Sequence, residues 1–196
     1  MILMMNKMKR IAVFASGNGT NCENIIRYFS TSVCARVAVV ITNNCKAKVI
    51  ERAEKLDIPV VVMPRADINN ENKITKVMHE YEIDFIVLAG FMLFVPDFLI
   101  EAYKNRIVNI HPSLLPKYGG KGMYGILVHE AVKNNNERES GITIHLVNNE
   151  YDKGEIVAQF STAIDSNDTV DEIASKVHSL EYEYYPKVIE NLLKEE

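Results

Sequence analysis

Asn109 and His111 stand two residues apart at the end of an apolar run, residues 106–110 (RIVNI), with Pro112 directly after them. On an extended strand alternate side chains share a face, so this amide and this imidazole project together, and the proline ends the strand there. An amide N–H can donate to an oxyanion, and an imidazole can carry or receive a proton near neutral pH. The spacing alone also fits a histidine satisfied by backbone in an ordinary loop. Asp152 lies in the turn 150–154 (EYDKG). Its chemical use would be a carboxylate that holds and charges a histidine, although an Asp-x-Gly turn between strands is common for its geometry alone. Spacing does not say which of the 5 histidines it meets. His79, His129 and His178 fall on predicted helices and read as solvated or capping; His145, between Ile144 and Leu146, faces either a pocket or solvent.

A second cluster follows the first apolar run. Residues 16–21 (SGNGTN) make a tight turn into a helix. Gly17 and Gly19 permit backbone angles and close approach that a side chain would block, and the helix start offers unpaired N–H groups at a positive dipole end. That is a receptor for a phosphate. Cys22 stands where a dinucleotide fingerprint needs its third glycine, and no Gly-Lys-Ser/Thr follows, so neither a nicotinamide site nor a P-loop fits. Thr20 and Asn21 add side-chain donors, which suits one terminal phosphate. The same residues also fit a plain strand-to-helix turn with Asn as N-cap. Glu181, four residues after Val177, lies at the margin of the last helix's apolar stripe, where a solvent-facing carboxylate is expected.

These groups need a scaffold. Short apolar runs at 10–15, 37–42, 59–63, 85–89 and 106–110 alternate with helical spacing at 22–29, 47–56 and 70–81. Strands apolar on both faces and separated by helices predict a parallel sheet covered on both sides. A long loop, 111–125, holds Pro112, Pro116 and four glycines; its 117–122 stretch reads as a mobile lid or a long connection. A helix at 126–134, strands at 141–147 and 155–160, and a closing helix complete the pattern. Thr169 and Glu172 form a capping box for that helix, and Pro186 is expected to kink or break it. The fold class is α/β: a single-domain, Rossmann-like, mostly parallel twisted sheet with helices on both faces. Residues 9–196 form the domain, and 1–8 are expected to be a disordered extension.

The 196 residues are 47% apolar and carry 22 basic against 26 acidic side chains, a formal charge of −4. Mild acidity argues against a nucleic-acid binder, and no segment approaches a membrane span. Three cysteines in no pairing motif point to a reducing, cytoplasmic setting without disulfides or metal.

In order along the chain, 16–21 (SGNGTN), 87–92 (VLAGFM), 109–116 (NIHPSLLP) and 151–154 (YDKG) resemble the folate-dependent formyltransferases over nearly the whole length from Lys9. The resemblance implies a catalytic trio of Asn109, His111 and Asp152. It implies that Gly19, Thr20 and Asn21 hold a substrate phosphate and that Glu181 contacts the ribonucleotide. Met92, Leu93, Phe94 and Val95, with Asn148, Asn149, Glu150, Tyr151 and Asp152, would wrap the folate pterin, and Asn109 would face it too. Leu93 departs from the basic residue many relatives carry. The nucleotide-substrate branch is favoured over the tRNA-modifying and hydrolytic ones by the 16–21 loop and by the expected absence of added domains. The implied reaction transfers a formyl group from 10-formyltetrahydrofolate, as co-substrate, to the amine of 5-phosphoribosylglycinamide. Partners would be small molecules only, in a monomer or homodimer, and Asp152 is expected to keep His111 protonated.

Overall fold

The computed structural model describes residues 7–195; most of the expected N-terminal extension, residues 1–6, lies outside the described residues. Seven strands form one sheet: β1 (Lys9–Phe14), β2 (Ala35–Thr42), β3 (Val60–Val62), β4 (Phe85–Leu88), β5 (Ile107–His111), β6 (Glu139–Leu146) and β7 (Ile156–Ala163). Their order is β3-β2-β1-β4-β5-β6-β7. β1 to β5 run parallel, while β6 and β7 add as an antiparallel pair. The chain winds outward from β1 to β3, then returns to β4 on the other side of β1. That reversal is a topological switch point, where open α/β sheets leave a crevice beyond the strand ends.

The apolar runs explain the layers. Ile11 and Val13 face one side of β1 and pack with α1 (Thr20–Phe29) and α7 (Val170–Glu195); Ala12 and Phe14 face the other and pack with α4 (Glu71–Glu80). Each fully buried Ile, Val or Phe contributes about 1.5–3 kcal/mol of transfer free energy. α2 (Val49–Glu54) and α6 (Ile126–Asn134) complete the helices anticipated from spacing, α2 shorter than expected at both ends. Two helices were not anticipated. α3 (Arg65–Ile68) and α5 (Asp97–Ala102) each start after a proline N-cap and are too short to show a 3.6-residue period.

α7 corrects another expectation. Pro186 neither breaks nor ends it. Proline removes the N–H that would reach the carbonyl four residues back, that of Tyr182. The Asn24 side-chain amide on α1 donates to that carbonyl at 2.9 Å, so the orphaned acceptor is satisfied from outside the helix. The capping box forms as expected: Glu172 N donates to Thr169 Oγ1 (3.2 Å) and Thr169 N to Glu172 Oε2 (2.7 Å). Further along, the fully buried Tyr185 hydroxyl lies 2.8 Å from Leu88 O and 3.2 Å from Val108 O, seating α7 against β4 and β5 just before Asn109. Among the described residues, no helix is long and apolar enough to cross a membrane.

Candidate active site

A cleft of about 630 Å³ opens at the carboxyl ends of β1, β4 and β5. That is within the range of small-molecule sites. Asn109 and His111 both line it, as their two-residue spacing requires, and Asp152 reaches the same wall from the β6–β7 connection. Asp152 Oδ2 lies 3.5 Å from His111 Nδ1, and its Oδ1 lies 3.6 Å from His145 Nε2. The carboxylate therefore meets two histidines rather than one. His145 is directly opposite Asn109 across the β5–β6 ladder. The Asn109 amide and His145 Nε2 are 3.2 Å apart, and His145 Nδ1 is 2.9 Å from Leu146 O. A carbonyl can only accept, so this ring carries its proton on Nδ1 and receives the Asn109 N–H on Nε2.

The same reasoning fixes His111. Its Nε2 is 2.7 Å from Tyr118 O, so Nε2 bears the proton and Nδ1 turns a lone pair toward Asp152. Burial pushes the His111 pKa below the usual histidine value, and the attraction of Asp152 and the Tyr118 carbonyl only partly oppose it. The expectation that Asp152 keeps His111 charged is thus corrected for the resting protein: desolvation of the imidazolium outweighs the carboxylate. Burial would likewise raise the Asp152 pKa, but the neighbouring His145 and His111 rings and the Gly120 N–H (2.9 Å from Oδ2) bring it below the ordinary carboxylate value.

The other end of the cleft is built on α1. Its N-cap is Gly19, not Asn, with φ +76°, and among the described residues no side chain caps the helix start. A Cβ at Gly19 would fall on the Val49 side chain and within 2.7 Å of its Cα, so both conformation and packing demand glycine. Gly19, Thr20 and Asn21 line the cleft. Glu181 is 6% exposed, contrary to the solvent-facing reading, and accepts from Asn21 Nδ2 at 2.8 Å. Burial raises its pKa, with His178 and Asn21 opposing. His129 is 2% exposed rather than solvated, its Nδ1 has no hydrogen-bond partner among the described residues, and its pKa is pushed down to about 4 by burial and then by His178 and His111. His79 is exposed, as expected.

Between the ends, Met92, Leu93, Phe94 and Val95 face Asn148, Glu150 and Tyr151, with the Phe94 and Tyr151 rings edge to face at 5.0 Å. Asn149 alone of the expected pterin set does not line the cleft. Ser16 ties the β1 and β4 ends together: its Oγ accepts from Met92 N (2.8 Å) and donates to Asn43 Oδ1 (2.5 Å).

The sequence pattern described as formyl transferase matches residues 9–189. The chain belongs to the formyl transferase family. It is 40% identical over 191 residues to the phosphoribosylglycinamide formyltransferase of Bacillus subtilis (strain 168), covering 95% of each chain. It is 40% identical over 195 residues to the chloroplastic enzyme of that name from Arabidopsis thaliana, covering 96% of this chain and 67% of the plant one. Among solved structures, glycinamide ribonucleotide transformylase 1 from Geobacillus kaustophilus superposes with a TM-score of 0.86 at 36% identity, covering 95% of this chain and 99% of that one. The Bacillus halodurans phosphoribosylglycinamide formyltransferase gives 0.83 at 37%, covering 94% and 95%.

This formyl transferase is accordingly an enzyme that moves a one-carbon group, on the α/β sheet its strand pattern predicted. Spacing alone did not find His129, His178 or Tyr118 as cleft or near-cleft groups, and it left His145 open between a pocket and solvent; the structure puts His145 on the cleft. His145 carried a signal: with Asn109 placed, antiparallel pairing of the following strands brings it alongside. His129 carried none, because its burial comes from packing between α6 and α7.

Proposed function

We propose that the enzyme transfers the formyl group of 10-formyltetrahydrofolate to the amine of 5-phosphoribosylglycinamide in purine biosynthesis, in a cytoplasmic setting. One observation carries this reading: the Asn109, His111 and Asp152 side chains share one cleft with an uncapped helix start. The N–H groups of α1 and the Thr20 and Asn21 side chains suit the nucleotide's phosphate. The apolar and aromatic segment 92–95 with Tyr151 suits a flat heteroaromatic ring. The relative from Bacillus subtilis named phosphoribosylglycinamide formyltransferase matches over 95% of both chains, which supports this reading.

The amine nitrogen attacks the formyl carbon, and the carbonyl electrons move onto oxygen. The second N–H of the Asn109 amide donates to that oxyanion; such a donor is worth about 3 kcal/mol. His111, neutral at rest, takes the amine proton on Nδ1. The imidazolium then donates to Tyr118 O and to Asp152, so both N–H groups have acceptors. Collapse of the intermediate restores the carbonyl and breaks the bond to the folate nitrogen, which receives the proton from His111. No protein nucleophile is needed, because the substrate supplies the nitrogen. Holding both substrates in register supplies much of the remaining rate.

Asp152→Asn tests the assignment. It removes the charge that stabilises the imidazolium and leaves the cleft shape intact. The expected result is a kcat lowered by about 100-fold or more with KM for both substrates within a few-fold of wild type. Wild-type kcat would remove Asp152 from the reaction.

A further inference from the structure

His111 owes its protonation pattern to a carbonyl on a loop, and the loop owes its place to a residue far from the chemistry. Tyr118 O accepts from His111 Nε2 at 2.7 Å, and two residues later Gly120 N donates to Asp152 Oδ2 at 2.9 Å. One short stretch of chain thus touches both members of the His111–Asp152 couple. It contains Gly119, Gly120 and Gly122, so its own sequence does little to hold it.

Ser113 Oγ donates to Lys117 O at 2.6 Å at the start of the stretch, and the Tyr118 side chain is held by Glu137, in the connection between α6 and β6. The Tyr118 hydroxyl donates to Glu137 Oε1 at 2.9 Å, and Lys117 Nζ lies 2.9 and 3.2 Å from the two oxygens of the same carboxylate. The Tyr118 ring packs on Val132, Ile164 and Ile173. Tyr118 also has φ +56°, a left-handed conformation that costs a non-glycine residue about 1 kcal/mol. Asp152 has φ +52°. Strain of this kind persists only where surrounding contacts over-determine it. At Tyr118 those contacts are the hydroxyl clasp and the ring packing on one side and the carbonyl–imidazole bond on the other.

We propose that Glu137 and the Tyr118 hydroxyl are positioning residues for the transfer reaction: their clasp holds the Tyr118 carbonyl on His111 Nε2 and so keeps the Nδ1 lone pair directed at Asp152. The proposal rests on the reading of His111 as the proton carrier. Releasing the clasp lets the carbonyl leave, and the ring then samples the other tautomer and orientation. Substrate contacts at the α1 end are untouched, so the loss falls on kcat.

The experiment uses the full-length chain and three variants, Tyr118→Phe, Glu137→Ala and Glu137→Gln. Glutamine keeps an acceptor for the tyrosine hydroxyl and serves as the rescue. Tyr118→Phe and Glu137→Ala should lower kcat by about tenfold with KM within twofold, and shift the acidic limb of the kcat–pH profile. In ¹⁵N NMR of the imidazoles they should move the His111 signals away from the single Nε2–H pattern, while Glu137→Gln stays near wild type in both readouts. Unchanged His111 ring signals in both disrupted variants would overturn the proposal, as would a loss seen only in KM or in Tm. His111→Asn, measured beside them, keeps the two readings apart. Wild-type turnover there would sink the catalytic assignment of His111 itself, whatever the clasp does to the ring.

Discussion

At the scale of single residues, Asp152 sits between two imidazoles that the fold presents in opposite roles. His145 is tied on both nitrogens, to Leu146 O and to the Asn109 amide, and so orients Asn109. His111 keeps a lone pair toward the carboxylate and is the ring with room to gain a proton. The shared face of Asn109 and His111 was legible from their two-residue spacing. The partner of Asp152 was not, because a turn residue's neighbours are set by how the β6–β7 pair docks on β5. His129 makes a prediction of its own at this scale. Its folded pKa, about 4, lies below the 6.5 of a free imidazole. The folded state therefore resists a proton that the unfolded chain accepts. Stability is unaffected above pH 6.5 and falls as pH drops from there toward 4, by about 3 kcal/mol from this group. His129→Leu should show a shallower fall in Tm between pH 7 and 4.5 than the wild type. Parallel curves would place the acid sensitivity elsewhere.

At the scale of elements, the informative case is α7. A proline in a helix interior predicts a break from sequence, and the capping box predicts a start; only the second is local enough to be decided by the sequence alone. Thr169 and Glu172 satisfy each other within one turn. The consequence of Pro186 depends instead on α1, whose Asn24 supplies the missing donor to Tyr182 O. Asn24→Ala should lower stability by about 0.5–1 kcal/mol, the worth of a hydrogen bond near solvent, as read by urea unfolding with an unchanged m-value. No loss would mean that water serves that carbonyl equally well. The short helices α3 and α5 escaped the sequence reading for a related reason. Each is a proline-initiated turn stabilised by packing of Ile68 or Leu99 rather than by a repeating pattern.

At the scale of the whole molecule, the parallel sheet was legible because strands buried on both faces are apolar throughout, and the return from β3 to β4 beside β1 follows from that winding. The switch point places the glycine turn after β1, the apolar segment 92–95 after β4 and the Asn109–His111 edge of β5 around one cleft. Its depth and its second histidine layer were not legible, since they depend on α6 and α7 closing one side. The proposed reaction uses the whole length of this cleft, an anion receptor at one end and an aromatic wall at the other, with the proton-carrying group between. The most direct test is to follow folate absorbance in a mixture of purified enzyme, 10-formyltetrahydrofolate and 5-phosphoribosylglycinamide, with each component omitted in turn. A change is expected only when all three are present, with formylated nucleotide formed in equal amount. No change in the complete mixture, or an equal change without the nucleotide, would contradict the proposed reaction.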